Sequence, residues 1–141
     1  MKRILFATLV LASTQLQAQK LKDDKVPAIV KTTFAKNYSQ AATPKWELEH
    51  GNYEVSFVQD GKKMSLLIDA TGKLLETEVA IKEGEFPKEA LAYMAGHYKK
   101  AKISETARIT KAGGEVIYEA GLKGKDVLFD KAGNFIKEAK D

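Results

Sequence analysis

Between Trp46 and Ile81 the chain runs WELEHGNYEVSFVQDGKKMSLLIDATGKLLETEVAI, and the turn pairs inside this stretch restrict the fold more than any other feature. Gly51-Asn52 and Asp60-Gly61 are residue pairs that tolerate φ > 0 at both central positions of a two-residue hairpin loop. Asp69-Ala70-Thr71-Gly72 suits a slightly longer turn, with its glycine left-handed. These turns divide the stretch into four antiparallel strands and fix a register. An Asp60-Gly61 loop sets Gln59 opposite Lys62, Phe57 opposite Met64, Val55 opposite Leu66 and Tyr53 opposite Ile68. A Gly51-Asn52 loop sets Leu48 opposite Val55 and Trp46 opposite Phe57. One face is then apolar throughout, and a slip of one residue would scatter it over both faces.

The same pattern returns downstream. VPAIVKTTFAKNY places Val26, Val30, Phe34 and Tyr38 four apart, with Ile29 beside them, as one stripe along a helix that Pro27 opens. Phe86, Ala90, Met94 and Tyr98 follow 60 positions later, behind Pro87. GKDVLFDKAGNFI then answers GKKMSLLIDATGKLL, Tyr118-Glu119 answers Tyr53-Glu54, and Asp130 to Gly133 answers Asp69 to Gly72. The fold class expected is α+β: two tandem αββββ repeats, an antiparallel sheet with helices on one face. In the second repeat a Lys123-Gly124 loop sets Ala120 opposite Val127 and Tyr118 opposite Phe129. A Gly113-Gly114 loop sets Ile109 opposite Tyr118, which leaves Glu105 on the apolar face beside Leu122 unless a bulge rotates it outward.

Ahead of the repeats, Met1-Lys2-Arg3, the apolar run Ile4–Ala12 and a polar stretch ending at Ala18 form a signal-peptide pattern, with cleavage expected after Ala18. The run is too short to span a bilayer, and a retained interfacial anchor is the alternative. The organisation expected is signal peptide 1–18, mobile lead-in 19–25, first repeat 26–81, linker 82–85 and second repeat 86–138. Losing Lys2 and Arg3 lowers the formal net charge from +4 to +2. The remaining lysines are interleaved with carboxylates, which argues against a nucleic-acid partner. The chain has no cysteine, hence no disulfide, thiolate or lipid-anchored cysteine.

No constellation of catalytic residues emerges. His50 and His97 have no partner at metal-ligand spacing, the serines at 39, 56, 65 and 104 lack a nucleophile elbow, and no glycine-rich phosphate loop exists. Asp69 and Asp130 begin matching turns and are read as acceptors for the turns' own N–H groups. No cofactor and no enzymatic activity are expected.

The runs VPAIVKTTFAKNY, KWELEHGNYEVSF and LLIDATGKLLETE together resemble the PepSY-like family of small secreted bacterial proteins, described as similar to the beta-lactamase-inhibitor protein. The resemblance implies the tandem αββββ fold with one sheet face open, and residence in the envelope of a Bacteroidetes-type bacterium. It further implies a role like that of PepSY-type modules, which accompany and restrain secreted peptidases, while the inhibitor clasps its enzyme with the open face. This chain lacks the disulfides that brace the inhibitor, and inhibition of a beta-lactamase is not inferred.

The function expected is a non-catalytic periplasmic or secreted protein-binding module. It would be monomeric and free of any membrane span after cleavage, with an envelope protein such as a peptidase or cell-wall enzyme as partner. The alternative is a periplasmic carrier or sensor of a small ligand or metal ion. The register that buries Tyr53, Val55 and Phe57 turns Glu54, Ser56 and Val58 outward, with Lys63, Ser65 and Leu67 beside them. Candidate partner-binding residues are therefore Glu54, Val58, Leu67, Ile117, Glu119 and Leu128, an apolar patch rimmed by charge.

Overall fold

Turn chemistry sets the architecture. In the computed structural model, which describes residues 19–140, His50 and Gly51 have φ of 47° and 82°, and Asp60 and Gly61 have φ of 51° and 76°. Both pairs make tight turns whose twist matches that of the flanking strands. The elements run β1 (Gln19–Leu21), α1 (Ala28–Asn37), β2 (Ala42–Glu49), β3 (Asn52–Gln59), β4 (Lys62–Ile68) and β5 (Leu74–Ala80). They continue with α2 (Lys88–His97), β6 (Glu105–Lys111), β7 (Val116–Leu122), β8 (Lys125–Asp130) and β9 (Phe135–Lys140). Short 3-10 turns at Asp23–Lys25 and Glu83–Glu85 precede the helices. The chain is α+β: two helices and one nine-stranded antiparallel sheet, its strands lying side by side in sequence order.

The β3–β4 register matches the expected one at every position, from Tyr53 opposite Ile68 to Gln59 opposite Lys62. Two other loops differ from expectation. His50-Gly51, not Gly51-Asn52, closes β2 to β3, so Leu48 faces Tyr53 and Trp46 faces Val55. A shift of two residues keeps every side chain on its face, and Trp46 and Phe57 both still meet Phe34, with ring centroids 5.7 and 5.1 Å apart. The β6–β7 loop has three residues, Ala112 to Gly114, with Gly114 at φ 88° and Lys111 N–H bonded to the Glu115 carbonyl at 2.9 Å. Ile109 consequently faces Ile117 instead of Tyr118, and Glu105 faces Gly121 instead of Leu122. This shift of one residue moves Glu105 and Ile109 off the helix-covered face, so no bulge is needed to explain Glu105.

Residues 19–21, expected to be part of a mobile lead-in, form an edge strand. Gln19, Lys20 and Leu21 lie opposite Leu48, Glu47 and Trp46. At the other end of the first half, Val79 and Ala80 lie opposite Arg108 and Ala107, and Ile81 N–H donates to the Thr106 carbonyl at 2.9 Å. The offset is 60 in both members of each pair, so the end of β5 stands to β6 as β1 stands to β2. One strand therefore serves both halves, closing the first and beginning the second.

Both helices cover the same sheet face, because the pairing of Met64 with Val79, Val79 with Arg108 and Arg108 with Tyr118 carries one face across the junction. Under α1, Val26, Val30, Trp46, Val55, Phe57, Leu66 and Ile68 are buried together. Under α2 the buried set is Phe86, Ala90, Met94, Ala120, Leu122, Val127 and Phe129. Thr106 replaces Trp46 in the second core, where its hydroxyl donates to the Ile81 carbonyl at 2.8 Å.

Candidate interaction face

The face away from the helices is built by alternation, since residues adjacent in a strand point to opposite sides. It carries Glu54, Ser56 and Val58 from β3, Lys63, Ser65 and Leu67 from β4, and Glu76, Glu78 and Ala80 from β5. The second half adds Glu105, Ala107 and Ile109 from β6, Ile117, Glu119 and Gly121 from β7, and Asp126 and Leu128 from β8. None of the described helices lies over it. A trough of about 280 Å³ runs across it from β2 over the junction to β6, lined among others by Lys45, Glu54, Lys63, Ser65, Glu78 and Glu105.

All six candidate residues lie on this face. Glu54 is directly opposite Leu67, and Glu119 is directly opposite Leu128, all four half-buried. Val58 is more open, at 37% exposure. Ile117 is 8% exposed between Ile109 and Asp130, so it belongs to the floor of the face. The residues do not form one patch. Leu67 pairs with Glu76, Leu128 pairs through Glu119 and Ala107 with Ala80, and Glu76 and Ala80 sit four residues apart on β5. Four strand spacings separate the two leucines, roughly 20 Å. The centre between them is filled by Ala80 opposite Ala107 and Ile109 opposite Ile117. Sequence reasoning missed Ile109 and Glu105 through the one-residue loop difference. It missed Glu76 and Glu78 because nothing in the local pattern showed that β5 would be flanked on both sides.

The electrostatics of the face are dominated by carboxylates. Burial pushes the Glu78 carboxyl up to about 7, and Glu54, Glu105, Asp126 and Glu76 add like-charge repulsion. Glu54 is also raised, chiefly by burial, with Glu49 and Glu47 repelling it while a hydrogen bond with Ser65 partly compensates. Gly121 leaves room for this crowding: a Cβ there would come within 2.9 Å of Glu105 Cγ and 3.5 Å of Asp126 Oδ1.

Elsewhere the two turn aspartates have structural roles. Asp69 Oδ1 accepts from Thr71 N–H at 2.8 Å and Lys73 N–H at 3.0 Å, and Asp130 Oδ1 accepts from Ala132 N–H and Asn134 N–H, each at 2.9 Å. These bonds hold both carboxyls below the usual range, led by the Thr71 hydroxyl for Asp69 and the Asn134 side-chain amide for Asp130. His97 stacks on Tyr93 with ring centroids 3.9 Å apart, and His50 Nδ1 lies 3.7 Å from Glu49 at an exposed turn. Among the described residues no group of three or more His, Cys, Asp or Glu gathers at metal-binding distance, and no helix is long and apolar enough to cross a membrane.

Solved structures share this architecture. A DUF2874 family protein from Bacteroides uniformis superposes with a TM-score of 0.70 at 16% identity, over 81% of this chain and 88% of the other. A structure described as "putative periplasmic proteins" from Bacteroides eggerthii gives 0.68 at 15%, over 82% and 88%. A BLIP-like protein from Bacteroides fragilis gives 0.58 at 21%, over 81% and 85%. Among curated proteins none matches the chain. The profile of the PepSY-like family, described as beta-lactamase-inhibitor-like, matches twice, over residues 12–76 and again over 75–137. With both halves matched, the chain belongs to the PepSY-like, beta-lactamase-inhibitor-like family.

Proposed function

We propose that this chain is a non-catalytic protein-binding module of two tandem αββββ units, exported to the periplasm or beyond, whose helix-free sheet face engages an envelope protein such as a peptidase or a cell-wall enzyme. The observation that carries the proposal is the face itself. Nine strands present one continuous surface on which half-buried leucine and isoleucine alternate with half-buried carboxylates, with none of the described helices above it. A sheet face meant only for water would not place Leu67, Ile109 and Leu128 there beside desolvated glutamates. The space between helices and sheet is filled by Phe34, Trp46, Phe57 and their neighbours, which favours a surface partner over a carried small molecule. Export fits the signal-peptide pattern of Met1–Ala18, a stretch outside the described residues, and the description of the Bacteroides eggerthii neighbour.

Photo-crosslinking tests the reading. A crosslinking amino acid at Val58 or Ser56, on the open face, should trap one envelope protein in cells, whereas the same group at Ile29, exposed on α1, should trap none. Crosslinks from Ile29 alone would sink it. Purified protein should hydrolyse neither peptides nor lactams, and an activity removed by a single substitution would show an enzyme instead.

A further inference from the structure

In the internal repeat β9 answers β5. Each strand follows an aspartate turn and carries a register shift beside its neighbour, at Leu67/Ile68 and at Leu128/Phe129. Leu74 and Phe135 lie opposite Ile68 and Phe129, and Glu76 and Lys137 lie opposite Leu67 and Leu128. Past the shift β5 gains a second neighbour, with Glu76 to Ala80 opposite Lys111 to Ala107 of β6. Among the described residues β9 pairs with β8 alone. Every residue of β5 is half-buried, whereas Phe135, Ile136, Lys137, Glu138 and Lys140 of β9 are exposed. The same strand thus occurs once covered and once with a bare edge, and a bare edge is a template for pairing with another strand.

The covered copy shows which backbone groups the bare edge offers. Ala112 N–H donates to the Leu75 carbonyl at 2.7 Å, and Ile81 N–H donates to the Thr106 carbonyl at 2.9 Å. Alternation along an antiparallel pair then makes Thr77 and Val79 the residues whose N–H and C=O reach β6. Their equivalents in β9 are Glu138 and Lys140, so the outward backbone groups belong to these two.

Charge on the same two residues selects the occupant. Lys140 lies directly opposite Lys125, a like-charge pairing that costs stability. Lys125 is compensated, with its ammonium 3.0 Å from Glu138 Oε1 and 5.1 Å from the centre of the Tyr98 ring. Lys140 enters none of the ion pairs found among the described residues, so its open side calls for a carboxylate. If the incoming strand is β9 of a second copy, the outward groups allow three antiparallel registers about a two-fold axis normal to the sheet. One sets Glu138 against Glu138, and another sets Lys140 against Lys140. The third sets Glu138 of each copy against Lys140 of the other, with Ala139 on the axis, and it alone matches opposite charges.

We propose that β9 is a self-association edge, on which a second copy of this chain pairs antiparallel with Glu138 opposite the second copy's Lys140 and Ala139 opposite its own counterpart. The axis keeps the helices of both copies on one side, and the two open faces run on into one surface. The buried core under α2 stands on β7 and β8, which leaves β9 at the margin. So short an edge buries less than the ~1,200 Å² of a stable interface, and the dimer therefore forms with rising concentration and coexists with the monomer expected from the sequence. The pairing does not depend on the open-face reading.

Sedimentation equilibrium of the purified protein from micromolar to millimolar concentration should show a monomer–dimer equilibrium that weakens as salt is added. Hydrogen exchange of the parent, which needs no variant, should slow at Glu138 and Lys140 as the dimer forms, while β1 is unchanged. Lys140→Glu and Glu138→Lys each turn both cross-pairs into like charges and should weaken association by about tenfold. Mixed together, these two variants present opposite charges at both positions and should associate with each other more tightly than either does with itself. Lys123→Glu, in the exposed β7–β8 loop, alters the net charge equally and should leave the constant unchanged. A parent that stays monomeric at millimolar concentration, a dimer indifferent to both variants, a mixture that fails to associate, or protection at β1 instead of β9 would each overturn the proposal. Protection of β9 that appears only on adding a different envelope protein would place a foreign strand on the edge and overturn it as well.

Discussion

The Thr33 hydroxyl donates to the Gly72 carbonyl at 2.6 Å, fastening the middle of α1 to the turn between β4 and β5. The approach is close because residue 72 is glycine. Its φ is 86°, and a Cβ there would lie 2.6 Å from Ile29 Cγ1 and 3.3 Å from the Ile29 carbonyl. Gly72→Ala should therefore destabilise the protein by about 1–3 kcal/mol, combining backbone strain with the clash. Urea denaturation checks this, with Gly51→Ala as comparison: it too has a positive φ, of 82°, but nothing within 4 Å. The comparison should lose less.

Phe57 anchors the first core. It is 4% exposed, and its ring meets Phe34 edge-on and Tyr38 at a tilt, with centroids 5.1 and 4.8 Å away. Phe57→Ala should cost about 3–5 kcal/mol, the range for losing a buried aromatic ring and leaving a cavity. A loss under ~1 kcal/mol in urea would contradict the packing.

Glu78 predicts a pH effect of unusual sign. Its carboxyl is raised from 4.5 to about 7, so the folded state holds the proton more tightly than the unfolded one. Stability is unaffected below the unfolded value, falls as pH rises through the window from there to about 7, and stays lowered above it. Glu78→Gln removes the ionisation. The variant should melt higher than the parent at about pH 8, and this advantage should vanish near pH 4, as followed by thermal scans across the range.

Asp130 behaves in the opposite sense. Its pKa is held low by the turn, first by the Asn134 side chain, so its contribution is present above the ordinary aspartate value and is lost as pH falls through the lowered one. Asp130→Ala should be less stable than the parent at neutral pH. The difference should shrink in strong acid, where the parent's carboxyl is also protonated, and acid titration followed by circular dichroism would measure it.

What the sequence revealed depended on how tightly each loop was specified. Asp60-Gly61 admits one tight turn, and every β3–β4 pair followed from it. Around His50-Gly51-Asn52 two adjacent pairs can both make that turn, and the two-residue ambiguity left faces intact but partners wrong. With Ala112-Gly113-Gly114, two- and three-residue loops are both conformationally open, so pairing between strands decided, and Ile109 changed face. The Glu54–Leu67 and Glu119–Leu128 pairs were readable because each lies within one hairpin. The acidic surroundings of Leu67 were not, since Glu76 and Glu78 reach their places through β5, which the connection through α2 joins to β6 at a distance invisible in local pattern.

The shared strand β5 means that this duplication has no hinge. Where many tandem modules are joined by tethers, here the last residues of one half stand where the first strand of the other would be. A spacer placed between Glu78 and Ile81 would tear the sheet instead of lengthening a tether. The helix-covered cores of the two halves are consequently held at one spacing, because a single unbroken sheet runs beneath both. Any change in what this face presents has to come from its side chains, because the spacing of the two halves is fixed by the backbone pairing of β5 with β6.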